Sequence, residues 1–514
     1  MHRKRVTAGG VFGQPRDRFP GEPHAPLDRV VSDLAFRSAS ELATAIRRRE
    51  VSARELLELY LARAERYNAG INAIVAWDVE HARKRADGAD AATARGESWG
   101  ALHGVPMTIK DAIEVVGMPT TCGAPALRAH HAVANAPAAQ RLLDAGAVVF
   151  GKTNLPIFAG DFQSYNEVYG TTNNPWDGTR GPGGSSGGSA AALAAGLTGF
   201  ELGSDIGGSI RNPAHFCGVY GLKPSWGVVP SRGHIPGPPG SLAGSDLGVL
   251  GPLGRSVADL TLGLDVLAGP DVWDARAWRV ALPHARHERL ANFRVAAWLD
   301  DPICPIDAEV AERLHAAVDT IARAGAKLDT KLRPVDGAES FSIYLRLLYG
   351  VLGVGLPAPL LAGFDAMLPG LAADDDGLMT NLIRGASQRH RDWNIVNERR
   401  AQLRARWDAF FRDFDVLLLP VMPTAAFPHD HSEIATRTIA VNGQPLPYLQ
   451  QLFWAGLATA AYLPAVAAPV GLAKSGLPVG IQIVAPYLED RTAIAFAAAL
   501  AQQVGGFVAP PGFA

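Results

Sequence analysis

The stretch Gly181-Pro-Gly-Gly-Ser-Ser-Gly-Gly-Ser189 runs directly into Ala190-Ala-Ala-Leu-Ala-Ala195. Glycines at this density let a backbone turn sharply, approach a ligand closely and turn its N–H groups inward. The alanine run is a strong helix former with almost no side-chain bulk. Such a helix can pack tightly on a sheet with its N-terminus aimed at the loop. A second Gly/Ser element follows at Gly203-Ser-Asp-Ile-Gly-Gly-Ser-Ile-Arg211. Ser209 there follows two glycines, so successive N–H groups can converge near its hydroxyl, as an oxyanion hole requires. A third element lies upstream, Gly104-Val-Pro-Met-Thr-Ile-Lys-Asp111. Its apolar run carries Lys110 to the end of a buried strand, where desolvation can keep a lysine neutral and able to act as a base.

Outward from these elements the pattern alternates. Ser38 to Glu41 and Ser52 to Glu55 fit the capping box that starts a helix, and Leu56, Leu57, Tyr60, Leu61 and Ala64 form an apolar stripe after the second. Strand-like runs are predicted at 104–109, 147–150, 294–298 and 415–419. Helices are predicted at 139–145 and at 307–324, the latter capped by Asp307 and stopped by Gly325. Helices alternating with apolar strands imply an α/β layered architecture. Residues 335–410, rich in Leu and charge without clear strands, read as a helical insertion covering the substrate side. Residues 1–28 mix Arg, Gly and Pro without an apolar h-region and read as a disordered leader rather than a secretory signal. The expected organisation is that leader and one domain, 29–514.

Composition removes several classes. A net charge of −2 over 514 residues offers no positive field for nucleic acid or anionic membrane. The apolar stretch 452–473 is long enough to span a bilayer, yet Pro464, Pro469 and its Ala/Gly content suit buried strand and turn better. Cys122, Cys217 and Cys304 are odd in number and widely separated, so neither a disulfide framework nor a C-x-x-C zinc site is available. A cytoplasmic protein with free thiols is expected.

The three elements, in this order, resemble the amidase signature family. The resemblance extends to Gly151-Lys-Thr-Asn154, Tyr169-Gly-Thr-Thr-Asn-Asn-Pro-Trp176, Gly221-Leu-Lys-Pro224 and Gly476-Leu-Pro-Val-Gly-Ile-Gln482, and covers most of residues 34–505. It implies a single α/β/α domain around a central mixed sheet. It also implies roles: Lys110 as base, Ser185 as proton relay held by an unusual cis peptide, and Ser209 as nucleophile. Backbone N–H groups of Ile206, Gly207, Gly208 and Ser209 would stabilise the oxyanion, with Ser186, Asp205 and Arg211 shaping the loops. Acyl transfer by such a triad, with Lys in place of His, needs no metal or cofactor.

Other readings of the same residues are weaker. Gly184 to Gly188 also matches the G-x-S-x-G nucleophile elbow, with Ser186 as nucleophile, but leaves Lys110 and Ser209 unexplained. A P-loop fails because no Lys-Ser or Lys-Thr follows the glycines. Ser189 is expected to start the helix. His429, His431 and Glu433, or His130 and His131, supply no complete metal ligand set.

Three functions are carried forward. The first is a stand-alone amidase, with a homodimer the assembly that the resemblance suggests, acting on a small or medium carboxamide, anilide or carbamate with no nucleic-acid or membrane partner. Phe341, Tyr344, Leu348, Tyr349 and Trp393 either wall its pocket or pack within the insertion. The second is the glutaminase component of a tRNA-dependent amidotransferase. Members of that branch often carry an acidic residue after G-K-T-N, where this chain has Leu155-Pro-Ile-Phe158. That difference, the leader and the apolar midsection tilt the reading toward the first. The third, an inactive binding protein on the same fold, must explain why all three triad positions are intact.

Overall fold

Both capping boxes close as their spacing requires. The Glu41 N–H donates to Ser38 Oγ and the Ser38 N–H to Glu41 Oε2, at 3.2 and 2.8 Å. The pair Ser52 and Glu55 repeats this at 3.0 and 2.9 Å. Helices Ala39–Arg47 and Ala53–Ile71 follow, and the second buries Leu56, Leu57, Tyr60 and Ala64 of the predicted stripe. The computed structural model describes residues 34–235 and 238–513. The expected leader, 1–28, lies outside them.

Eleven strands form one mixed sheet. In chain order they are β1 (Ile74–Trp77), β2 (Pro106–Lys110), β3 (Val148–Thr153), β4 (Glu201–Asp205), β5 (Tyr220–Lys223) and β6 (Val249–Gly254). They continue as β7 (Arg294–Ala297), β8 (Lys327–Asp329), β9 (Val416–Pro420), β10 (Ala465–Leu472) and β11 (Pro478–Val484). The spatial order is β1-β3-β2-β4-β6-β5-β10-β11-β9-β7-β8. The α/β fold with a central mixed sheet is thus as the sequence implied. All four predicted strands are present, with bounds shifted by a few residues.

The predicted helices also form, as Pro137–Asp144, with Pro in its first turn, and as Ala308–Arg323, where Asp307 caps the start and Gly325 follows at φ +92°. The uncharged stretch 452–473 divides into the buried helix Leu452–Ala460 and strand β10. No helix among the described residues is long and apolar enough to cross a membrane.

Two parallel neighbours position the site. Strand β2 runs beside β4, with Thr108 opposite Glu201 and Ile109 opposite Leu202. Lys110 and Ser204 therefore come to the same edge of the sheet. Between β3 and β4 the chain makes the helix Gly187–Ala194, every residue of which is buried. Its lack of bulk is needed. A Cβ on Gly188 would lie 2.4 Å from the Asn154 nitrogen and 2.6 Å from its oxygen. The Gly188 N–H instead donates to that oxygen at 3.1 Å.

Residues 335–410 contain the helices Gly337–Leu352, Ala358–Met367 and Leu378–Ala386 and most of His390–Asp413, with no strand among them. The question of their aromatic residues divides. Tyr349 packs beside Gly385 and Trp393 beside Gly350, within the segment, whereas Phe341 reaches the Phe453 ring and Tyr344 lies over Gly456.

Gly188→Ala should lower unfolding stability by about 1–3 kcal/mol, the usual cost of overpacking a tight interior. Urea denaturation, read as a shifted midpoint, checks this.

Candidate active site

Lys110 ends β2 with no exposure to solvent. Its Nζ lies 2.6 Å from Ser185 Oγ, 2.9 Å from Ser204 Oγ and 3.0 Å from Ser186 Oγ. Burial pushes the ammonium down to about 7, while Cys122 and Asp205 pull less strongly the other way. Three hydroxyls suit either protonation state. An ammonium can donate to all three, and a neutral amine can donate to two and accept from the third.

Two other buried lysines make the comparison useful. Burial lowers Lys152 to about 8 and Lys223 to about 7. Lys152 Nζ donates to the Ile113 carbonyl at 2.5 Å and to Thr120 Oγ1 at 3.3 Å, with Asp111 at 3.9 Å. Lys223 Nζ donates to the carbonyls of Pro224 and Leu463. Carbonyls and carboxylates only accept, so these surroundings call for a donor. Of the three, Lys110 is the one whose hydrogen-bond partners are all groups that can hand it a proton.

The Gly/Ser loop is held from outside. A cis peptide joins Gly184 to Ser185. The Gly184 N–H donates to Asn212 Oδ1 at 2.7 Å, the Gly187 N–H to Ser164 Oγ at 3.1 Å, and the Ser164 hydroxyl to the Gly183 carbonyl at 2.9 Å. Ser186, not Ser189, occupies the N-cap of the following helix. Ser189 lies one turn inside, with its Oγ 2.9 Å from Thr153 Oγ1. The helix thus begins three residues earlier than a Ser189 cap would place it, with its first N–H met by Ser164 and no hydrogen bond from the Ser186 side chain.

The second loop leaves β4 at Asp205 and reaches Ser209, which is 7% exposed while Lys110 and Ser185 are fully buried. The Ser186 N–H donates to the Ser209 carbonyl at 3.0 Å and so joins the two loops. No hydrogen bond links the Ser185 and Ser209 side chains.

Asp205 accepts from the N–H groups of Gly208, Ile210 and Arg211 and forms a two-pronged ion pair with the Arg211 guanidinium, 2.7 and 3.0 Å. Burial alone would raise its pKa, but Arg211 and the N–H groups outweigh it and hold the carboxyl at about 2. Among the four N–H groups expected to face an oxyanion, that of Gly208 is therefore engaged with Asp205. Those of Ile206, Gly207 and Ser209 have no acceptor within the described chain.

Sequence reasoning missed Ser204, although it immediately precedes Asp205 on the strand beside Lys110. It also missed Ser164 and Asn212, which no local motif marks. The histidines weighed as metal ligands lie elsewhere: His429 meets Asn173, His431 stacks on Tyr165 and His130 meets Glu114. No group of three or more potential ligands that could hold a metal is present among the described residues.

A lysine among serine hydroxyls beside a loop with unpaired N–H groups, on this sheet, defines a class of hydrolytic α/β proteins. The amidase family model matches residues 55–494, and the chain belongs to that family, whose enzymes act on carbon–nitrogen bonds. It is 35% identical to one subunit of the glutamyl-tRNA(Gln) amidotransferase of Anaeromyxobacter sp. (strain K), over 94% of this chain and 100% of that one. A solved chain from a vestigial protein complex, which bears on the origins of an s-triazine catabolic enzyme, is 30% identical, with a TM-score of 0.77 over 92% of this chain and 100% of its own. A bacterial aryl acylamidase of the amidase signature family is 26% identical, with a TM-score of 0.76 over 92% and 97%.

These relatives correct one expectation. A self-sufficient enzyme or homodimer, meeting only a small amide and no nucleic acid, is not what the Anaeromyxobacter relative is. That protein is one component of an enzyme named for a tRNA substrate. Net charge and an apolar midsection cannot report on this, because one component can leave RNA contact to its partners.

Asp205→Ala would leave the Arg211 charge buried and unpaired. The expected loss of unfolding free energy is about 3–5 kcal/mol, measured by urea denaturation.

Proposed function

We propose that the chain is the amide-cleaving component of a cytoplasmic amidotransferase of the glutamyl-tRNA(Gln) kind, releasing ammonia from glutamine through an acyl-enzyme on Ser209. The observation that carries this reading is the 35% identity along the whole length of the Anaeromyxobacter protein. The Ile157 departure weighs little against it. That side chain is 49% exposed and takes no part in the Lys110 cluster.

Neutral Lys110 accepts the Ser185 proton while Ser185 takes that of Ser209, and Ser209 Oγ bonds to the carboxamide carbon. The N–H groups of Ile206, Gly207 and Ser209 stabilise the resulting oxyanion. As the C–N bond breaks, Ser185 returns a proton to the leaving nitrogen and recovers one from Lys110. Water then attacks the ester and frees Ser209.

A second reading concerns the acyl group. Carbon atoms of Leu452, Ala455 and Phe162 lie near where Cβ atoms on Gly207 and Gly208 would stand, and the Tyr344 hydroxyl, the one polar neighbour there, is bonded to the Ile206 carbonyl. Those three apolar neighbours favour an aromatic or aliphatic amide over glutamine.

Purified chain, alone and with co-purified partner proteins and tRNA, should be assayed for ammonia release from glutamine and for anilide cleavage. Partner-dependent glutaminase supports the first reading. Anilide cleavage with glutamine untouched supports the second. On either substrate Lys110→Ala should lower turnover by about 10²–10⁴-fold, the range for losing a general base.

The pH dependence has a definite sign. The active form is the unprotonated lysine, so acylation should fall about tenfold per pH unit below about 7 and level off above it. A flat single-turnover rate from pH 5 to 9 would remove Lys110 from the mechanism.

A further inference from the structure

The helix Gly337–Leu352, first of the midsection, sends Tyr344 to the oxyanion loop. Its hydroxyl donates to the Ile206 carbonyl at 2.9 Å. That carbonyl belongs to the same peptide unit as the Gly207 N–H. In a trans peptide the two point in opposite directions, so anchoring the oxygen on one side aims the N–H at the other. The Gly207 N–H is one of those with no acceptor in the described chain.

The surroundings are built for this contact. Tyr344 is fully buried. A Cβ on Gly456 would stand 2.5 Å from Tyr344 Cδ1, so only glycine lets the ring lie there. A Cβ on Gly207 would stand 3.0 Å from Leu452 Cδ2 and 3.5 Å from the Tyr344 hydroxyl. Burial raises the phenol well above its ordinary value, so it keeps the proton it donates. Asp205 secures the far half of the loop through Gly208 and Ile210. Nothing else in the described chain donates to the Ile206 carbonyl.

We propose that Tyr344 is a positioning residue for catalysis, fixing the Ile206–Gly207 peptide so that the Gly207 N–H meets the developing oxyanion. The inference rests on the reading of Ser209 as nucleophile. It goes beyond that reading in making one residue of the midsection set the electrostatics of the catalytic loop. A hydrogen-bonded donor is also polarised by its neighbour, so the phenol strengthens the N–H as well as aiming it.

The test uses Tyr344→Phe in the full chain, which keeps the ring over Gly456 and removes only the hydroxyl. Phosphonylation of Ser209 by a fluorophosphonate is timed, and the dissociation constant of phenylboronic acid, whose serine adduct carries an oxygen toward the same N–H groups, is measured. The labelling rate should fall about 10-fold, a fraction of the loss from deleting an oxyanion donor outright. Boronate binding should weaken in step and the pH of half-maximal labelling should stay at its wild-type value, while the melting temperature falls by no more than the few degrees that one lost hydrogen bond requires. Unchanged labelling and boronate binding would overturn the proposal. So would a slower rate with boronate binding unchanged, which separates the hydroxyl from the oxyanion, or with a shifted pH limb, which moves the effect to Lys110. Wild-type labelling that persists in Ser209→Ala would instead overturn the assignment of Ser209, a result distinct from these.

Discussion

The guanidinium of Arg211 engages all five of its N–H groups inside the protein. Two go to Asp205, at the end of β4. The others reach the Ala455 carbonyl and Thr459 Oγ1 on the helix Leu452–Ala460, and Gln482 Oε1 on β11. Parts of the chain separated by some 250 residues are thereby referred to one planar group. A buried ion pair of this kind contributes little net stability against an apolar alternative, because desolvating two charges offsets their attraction. Its value lies in geometry. Asp205, held ionised by Arg211, can accept from Gly208, Ile210 and Arg211 together, and this leaves the remaining N–H groups of the loop pointing elsewhere.

The Lys110 cluster needs that frame because it is chemically ambiguous. Three buried lysines are pushed down by burial to similar extents, so depression alone does not mark a base. The acceptors around each one do. Lys152 and Lys223 face mainly carbonyl and carboxylate oxygens, which hold them as donors, whereas hydroxyls around Lys110 leave a proton free to move in either direction. Ser204, which no motif singled out, is part of that set and helps keep the amine satisfied when it is neutral.

What could be read from sequence follows from this division. Capping boxes, apolar strands and glycine-dense loops are local, so the two opening helices, the core strands and the Lys110–Ser185 contact were legible in residue patterns or in the resemblance they carried. Contacts across the fold were not. The Gly208 N–H looks identical to those of Gly207 and Ser209 in a G-G-S string, and only the position of Asp205 shows that it is already engaged. The stretch 452–473 looked like strand and turn because of its prolines, yet its first half is helix, since both prolines lie after residue 460 and nothing before them breaks the ladder.

The same division bears on why amidase signature relatives can differ in the bond they cut. Lys110, Ser185, Ser209 and the Asp205–Arg211 pair are assembled by the sheet and by loops leaving its edge. The helical segment 335–410 reaches this machinery through the helix Gly337–Leu352, where Phe341 packs on Phe453 and Tyr344 touches the oxyanion loop itself. A segment in that position can vary its surface for a new acyl group, while in this chain Tyr344 presents its hydroxyl to Ile206. In the mechanism proposed above, substrate choice and transition-state stabilisation are joined at one side chain, and a change of specificity that displaced this helix would also disturb the Tyr344–Ile206 hydrogen bond.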